Sequence, residues 1–139
     1  MFYDPEIVKP MREEMTVSGF REMLTVDDVN NELSIDNSTT LVFVNSVCGC
    51  SARQARPGVL KAVQNNNRPE KILTVFAGQD LEATAEARKY FTGYMPSSPQ
   101  VAILKKGELV FMMERHEIES SDADMIADEL TAAFDKYCN

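Results

Sequence analysis

Two of the three cysteines in the sequence are separated only by a glycine, as Cys48-Gly49-Cys50. A short apolar, β-branched run at 41–45 precedes them and predicts a buried strand, and a helical pattern at 51–65 follows them. Functional groups commonly lie where a strand of an open α/β sheet ends. A thiol at a helix N-terminus faces backbone N–H groups and the positive end of the helix dipole, which lower its pKa. Because the thiolate is the nucleophile in thiol–disulfide exchange, the pattern predicts redox chemistry.

The spacing of the cysteines leaves one other chemistry open. A disulfide across a single residue closes a very small ring, which suits a pair that cycles between dithiol and disulfide. Alternatively, Cys48, Cys50, Cys138 and His116 would supply four ligands of the kind that zinc prefers. Cys138 is the penultimate residue, where chains are usually poorly ordered, and His116 stands among charged residues. We therefore favour the redox interpretation, with Cys138 as a bystander thiol and His116 as a surface histidine.

Two arginines follow the cysteine pair, at positions 53 and 56. They would place positive charge one to two helical turns from Cys48. There they would either favour its thiolate or bind an acidic substrate. The simpler interpretation is that Arg53 and Arg56 lie on a solvated face of the helix, and it is the one we favour.

Length and composition narrow the class of protein. A chain of 139 residues predicts a single domain over 1–139, and 44% hydrophobic with 26% charged residues is typical of globular proteins. The net charge of −8 argues against a protein that binds nucleic acid. No apolar run approaches the ~20 residues of a membrane span, and the charged N-terminus does not resemble a signal peptide. We expect a cytoplasmic protein, where neighbouring cysteines are more often catalytic, redox-sensing or metal-binding than structural.

The hydrophobic patterns predict an α/β fold. Strands are expected at 41–45, 72–76, 100–104 and 108–112, and helices at 5–15, 26–34, 51–65, 81–91 and 121–136. Pro57-Gly58 should kink or interrupt the third helix. A crossover helix makes the first two strands parallel, and a short connection containing Gly107 makes the last two an antiparallel hairpin. The expected result is a four-stranded mixed sheet with helices on both faces.

Residues 40–137 resemble the thioredoxin superfamily at two places. One is the cysteine pair between strand and helix, and the other is Ser98-Pro99 directly before a strand. The resemblance implies that Pro99 is cis and packs beside the cysteines, and that the backbone of Ser98 binds an extended thiol substrate. Gly49, Ser98 and Pro99 are thus expected to form the substrate-binding part of the site. Residues 1–35 would be an N-terminal helical segment outside this thioredoxin-like core.

Three departures separate the chain from standard thioredoxins. It has one residue between the cysteines rather than two, Val47 where thioredoxins carry Trp, and Val42 where they carry a buried acid. These differences argue against a thioredoxin that accepts electrons from a reductase.

A closer resemblance is to the bacilliredoxin family, and it extends over nearly the whole chain. The segments that carry it are Tyr3-Asp4-Pro5, Pro10-Met11-Arg12, 44–53, 55–58, 95–99 and Glu114-Arg115-His116. It implies a thiol–disulfide oxidoreductase that removes bacillithiol from mixed disulfides on cytosolic proteins. A family member has also been regarded as a disulfide isomerase, so an isomerase or oxidant acting on many proteins is the first alternative. A metal-binding protein is the second.

The resemblance also implies roles for the two cysteines. Cys48 attacks the sulfur of bacillithiol, and the client protein leaves as a reduced thiol. Either Cys50 or a second bacillithiol then resolves the adduct on Cys48. The expected partners are bacillithiol, as co-substrate, and S-bacillithiolated client proteins, and no metal, flavin or nucleotide is implied.

Overall fold

The computed structural model describes residues 3–34 and 38–138. A mixed five-stranded sheet with the strand order β1-β3-β2-β4-β5 forms its centre. The strands are β1 Arg21–Glu22, β2 Thr39–Asn45, β3 Lys71–Phe76, β4 Gln100–Lys105 and β5 Glu108–Met113. The helices are α1 Pro5–Thr16, α2 Val26–Leu33, α3 Arg56–Ala62, α4 Leu81–Arg88, α5 Arg115–Glu119 and α6 Ala123–Tyr137. No helix within the described ranges has the length and apolar character that crossing a membrane requires.

The central strand β2 is buried along its whole length because helices cover both faces of the sheet. Successive side chains of a strand point to opposite faces. Leu41 and Phe43 accordingly belong to one core cluster, which includes residues of α3 and α6. Val42 and Val44 belong to a second cluster, which includes residues of α2 and α4. The predicted α/β architecture with helices on both faces is confirmed.

The predicted strand directions are also confirmed. β2 and β3 are parallel, with Val44 opposite Val75, and β4 and β5 are antiparallel. β2 also pairs with β4 in antiparallel orientation, with Val44 opposite Gln100. This register brings the segment before β4 to the edge of the sheet at which β2 ends.

The predicted number of strands is wrong by one. The two residues of β1 pair in parallel with Leu73 and Thr74 of β3 at the edge of the sheet. Two consecutive polar residues, Arg21 and Glu22, carry no alternation of apolar and polar positions, so the hydrophobic pattern does not reveal this strand.

The helix predicted at 51–65 has a different form. Ser51–Ala55 form a π turn, in which the N–H of Arg56 donates to the carbonyl of Ser51, and α3 follows directly. Pro57 has no N–H to donate within the helix, which accounts for an irregular turn at this place. Two further differences are that α4 ends at Arg88 rather than residue 91 and that α5, only five residues long, is not predicted.

Gly58 allows α3 and α6 to approach closely. A Cβ atom at Gly58 would lie 2.7 Å from Ile126 Cγ2, 2.8 Å from Ile126 Cβ and 3.0 Å from the carbonyl oxygen of Ala123. Neither the backbone carbonyl nor the Cβ of a buried isoleucine can move without shifting α6. The contact therefore depends on a residue without a side chain.

We predict that Gly58→Ala destabilises the protein. Alanine favours a helix by about 1 kcal/mol over glycine, but overpacking a core typically costs ~1–3 kcal/mol, so the net change is a loss. Lys61→Ala is the matched control, since the Lys61–Asp124 pair joins the same two helices at the surface with both side chains more than half exposed. We expect it to change stability by less than ~1 kcal/mol. Denaturant unfolding measures both, and a Gly58→Ala variant as stable as the wild type would contradict the packing argument.

Candidate functional site

The cysteine pair lies in the turn that follows the end of β2. Cys48 and Cys50 form a disulfide, with their Cα atoms 5.4 Å apart. Cys48 is half-buried, whereas Cys50 is only 9% exposed. A thiol reagent or substrate therefore has readier access to Cys48 than to Cys50.

Hydrogen bonds of the Cys48 backbone hold this turn in a fixed shape. The N–H of Cys48 donates to Ser46 Oγ over 3.4 Å. The carbonyl of Cys48 accepts from the N–H of Ser51 at 3.0 Å and from that of Ala52 at 3.3 Å. Both N–H groups are therefore hydrogen-bonded to the Cys48 carbonyl and are not among the unpaired donors that the sequence predicts around the thiol.

A single buried oxygen, Asn45 Oδ1, connects the strand to the following helix. It accepts from the N–H of Ser46 at 2.9 Å, from Ser51 Oγ at 3.1 Å and from Arg56 Nη1 at 3.0 Å. Asn45 Nδ2 donates to the carbonyl of Met11 in α1 over 3.2 Å. The last residue of β2 thus binds the residues on either side of the cysteine pair and also the N-terminal helix.

Arg56 is buried and belongs to this network. Only 3% of the residue is exposed, and Nη1 also donates to the carbonyl of Ser46 at 2.9 Å. Its Nε forms an ion pair with Glu14 of α1, whose side chain is 48% exposed. The interpretation of Arg56 as part of a solvated helix face is therefore wrong. In this position its guanidinium holds the turn that precedes Cys48, and it is not open to a ligand in solution.

Arg53 is exposed, as the sequence predicts, but its guanidinium covers Gly49. A Cβ atom at Gly49 would lie 2.9 Å from Arg53 Nη2 and 3.2 Å from both Nη1 and Cζ. Gly49 is not among the residues with positive φ, so its backbone conformation does not require glycine. The Arg53 guanidinium therefore lies over Gly49, and a side chain at position 49 would displace it.

Ser98 and Pro99 lie at the same edge of the sheet as the cysteine pair. The Ser98–Pro99 bond is cis, as the resemblance predicts. Since Val44 pairs with Gln100, the antiparallel register brings these two residues level with the backbone that follows Val44. The carbonyl of Ser98 accepts a hydrogen bond from Arg115 Nη1 over 3.2 Å. Sequence reasoning missed this arginine as a neighbour of the site because it belongs to the short helix α5.

The four candidate zinc ligands are not brought together. Burial raises the pKa of the Cys138 thiol, which lies beside Thr39 at the start of β2. At ~3.3 Å per residue, the length of β2 places Thr39 about 20 Å from the end that leads to Cys48. Within the described part of the chain, the only cluster of three potential metal ligands is Glu114, His116 and Glu117. His116 is therefore grouped with carboxylates of its own segment.

We predict that Arg56→Met weakens the fold. The substitution leaves the buried carbonyl of Ser46 and Asn45 Oδ1 each without one donor, which costs roughly 1–3 kcal/mol. Glu14→Gln removes the charge of the half-exposed partner of Arg56 and should lower the free energy of unfolding by less than ~1 kcal/mol. Denaturant unfolding of the two oxidised variants measures both changes. Equal stability of Arg56→Met and the wild type would contradict a structural role for the buried guanidinium.

We also predict slow alkylation of Cys138, which is a free thiol in the structure. Because burial raises its pKa, less thiolate is present at a given pH than for a cysteine in a short peptide, and the rate should rise only at higher pH. Iodoacetamide labelling of the oxidised protein across pH 7–10 measures this dependence, with Cys138→Ser as the blank. A titration midpoint at or below that of the peptide would show that burial does not protect the thiol.

Comparisons with known proteins identify relatives over nearly the whole chain. Residues 3–138 match the family model described as "Disulphide isomerase". The chain is 50% identical to a bacilliredoxin of Koribacter versatilis, over 96% of this chain and 93% of the relative. It is 47% identical to a bacilliredoxin of Geobacillus kaustophilus, over 98% and 94% of the two chains.

Solved structures show the same fold at low sequence identity. Thioredoxin F of spinach chloroplasts superimposes with a TM-score of 0.59 at 17% identity, covering 93% of this chain and 94% of the other. A thioredoxin of Malassezia sympodialis gives a TM-score of 0.59 at 14% identity, covering 87% and 92%. With a thioredoxin fold and curated relatives that match over nearly its whole length, the chain belongs to the bacilliredoxin family of thiol–disulfide oxidoreductases.

Proposed function

We propose that this oxidoreductase removes bacillithiol from mixed disulfides on client proteins. The observation that carries the proposal is the Cys48–Cys50 disulfide, with one half-buried and one buried cysteine, at the end of the central strand. Because the two cysteines differ in solvent access, we assign them different roles. The accessible thiol reacts with the substrate, and the buried thiol reacts only with its neighbour.

In the first step the thiolate of Cys48 attacks the bacillithiol sulfur of the mixed disulfide. A bond forms between Cys48 Sγ and this sulfur, and the bond to the client sulfur breaks. The client cysteine takes the electron pair of the broken bond and leaves as a thiolate, which then binds a proton. The client is reduced, and Cys48 carries bacillithiol.

In the second step the thiolate of Cys50 attacks Cys48 Sγ. The Cys48–Cys50 disulfide forms, and bacillithiol leaves as a thiolate that takes up a proton. The protein has then lost two electrons, and a thiol reductant must return them before the next cycle. Together the two steps convert one mixed disulfide and one reduced cysteine pair into one reduced client, one free bacillithiol and one oxidised cysteine pair.

Ser98 and Pro99 supply the substrate-binding part of this proposal, together with Gly49. The register of β4 against β2 and the buried Pro99 support a position beside the turn that carries the cysteines. Ser98 would offer its backbone to the extended segment that carries the mixed disulfide. We place the reaction in the cytoplasm, where thiols are kept reduced and an oxidised pair is returned to its dithiol form.

A disulfide isomerase is the second candidate, and the description of the matching family model favours it. An isomerase would form a mixed disulfide with the client protein itself. Bacillithiol would not be transferred to Cys48. The two candidates therefore differ in which sulfur of the substrate Cys48 attacks.

Cys50→Ser separates these candidates, because it blocks the second step and leaves the first product in place. We expect the reduced variant, mixed with a bacillithiolated client protein, to gain the mass of one bacillithiol while the client loses it. Intact-mass spectrometry of both proteins measures the transfer.

The control is Cys48→Ser, which retains Cys50 and should neither gain nor remove bacillithiol. Capture of the client protein by Cys50→Ser would support the isomerase instead. If Cys48→Ser removed bacillithiol at the wild-type rate, Cys48 would not be the attacking cysteine.

A further inference from the structure

The Arg53 guanidinium is an exposed positive charge placed directly at the cysteine pair. It lies where a side chain on Gly49 would be, one residue from each cysteine. Contacts of 2.9–3.2 Å to that position show that the arginine is folded back toward the turn.

Arg53 also has no anionic partner among the described residues. The other arginines of the site are engaged: Arg56 pairs with Glu14, and Arg115 pairs with Glu119 at 2.5 Å. The chain carries 22 acidic and 14 basic residues, so carboxylates are plentiful. None of those described forms an ion pair with Arg53. An unpaired guanidinium in an acidic protein is available to an anion that comes from outside.

The two observations share one explanation in Gly49. Its backbone conformation is open to other residues, since its φ is not positive. What glycine provides is the space that the guanidinium occupies. The residue between the cysteines and the arginine over it therefore act as one unit.

From this geometry we infer that Arg53 binds the carboxylate of a low-molecular-weight thiol while its sulfur is transferred to Cys48. The inference rests on the proposed function, because it assumes that Cys48 attacks the small thiol rather than the client. A guanidinium offers paired N–H donors that match a carboxylate. Arg53 thus selects acidic small thiols over neutral ones, and Gly49 keeps its binding position open.

The test uses one single-cysteine peptide prepared as two separate mixed disulfides. One is with mercaptosuccinate, a dicarboxylate thiol, and the other is with 2-mercaptoethanol, which is neutral. The second-order rate of each with reduced protein is measured by the appearance of the free peptide thiol. We expect the wild type to prefer the mercaptosuccinate disulfide. Arg53→Met should lower that preference roughly fivefold, the scale of a charge-assisted hydrogen bond near a surface. Raised salt should weaken the wild-type preference and leave Arg53→Met unchanged.

Gly49→Ala provides a second, independent variant. Its methyl group would come within 2.9 Å of Arg53 Nη2 and displace the flexible guanidinium, so it should reduce the preference as Arg53→Met does. The double variant should then show the same preference between the two disulfides as Arg53→Met alone. Additive losses would show that Gly49 and Arg53 act separately and would overturn the inference that they form one unit.

Lys136→Met is the matched control for charge. It removes one positive charge from the last turn of α6. This turn lies away from the cysteines, because the carbonyl of Phe134 accepts a hydrogen bond from Asn67, in the loop that follows the far end of α3. We expect the preference to stay at the wild-type value. A loss equal to that of Arg53→Met would show that total charge, and not Arg53, decides it.

A pH profile of the rate distinguishes binding from activation of the thiol. If Arg53 only lowered the pKa of Cys48, Arg53→Met would slow both disulfides equally and shift the profile to higher pH, which would overturn the inference. An unchanged preference would overturn it as well. Failure of the proposed function looks different. The wild type would then leave a bacillithiolated protein untouched, yet still show an Arg53-dependent preference between the two model disulfides.

Discussion

The amide oxygen of Asn45 accepts three hydrogen bonds at the end of the central strand, and the position of the cysteine pair depends on it. Its donors come from Ser46, before the cysteines, and from Ser51 and Arg56, after them. Buried polar groups are costly when unpaired and give rigid, specific structure when all their partners are present. This one acceptor therefore determines how the chain leaves the sheet, turns through the disulfide and enters the helix.

The same network extends beyond the thioredoxin-like core. α1 contributes Glu14 to the ion pair with Arg56 and the carbonyl of Met11 to the amide of Asn45. The N-terminal segment is thus in contact with the residues that support the redox turn. The division of a single domain into a segment at 1–35 and a core at 40–137 stays a prediction. These contacts nevertheless make the segment a support of the site.

The placement of the cysteine pair in the fold was predictable from local sequence, because each signal depends on neighbouring residues. A β-branched apolar run before Cys48 and a helical pattern after it were enough to predict the pair at a strand end. The position of Ser98–Pro99 beside the pair followed from the resemblance to the thioredoxin superfamily. The resemblance supplied the family, which the relatives confirm. The two-residue strand β1 and the five-residue helix α5 were missed because elements so short carry no periodic pattern.

The different roles of the two arginines could not be predicted for a geometric reason. Residues three apart in a regular α-helix share a face, so Arg53 and Arg56 should both be exposed or both buried. The π turn at Ser51–Ala55 breaks this rule by its wider hydrogen-bond spacing. Arg56 turns inward to Asn45, and Arg53 stays over Gly49. The proline that follows Arg56 was the one local signal of an irregular turn, and it does not specify which arginine is buried.

In the proposed mechanism, Cys48 and Cys50 together carry out one complete reduction of a bacillithiolated protein. A single-turnover experiment with reduced wild-type protein and an equal amount of bacillithiolated client tests it directly. We expect one free bacillithiol, one reduced client and one Cys48–Cys50 disulfide for each protein molecule, all appearing together. Release of the client thiol without formation of this disulfide would contradict the account, as would formation of the disulfide while bacillithiol stays on the client.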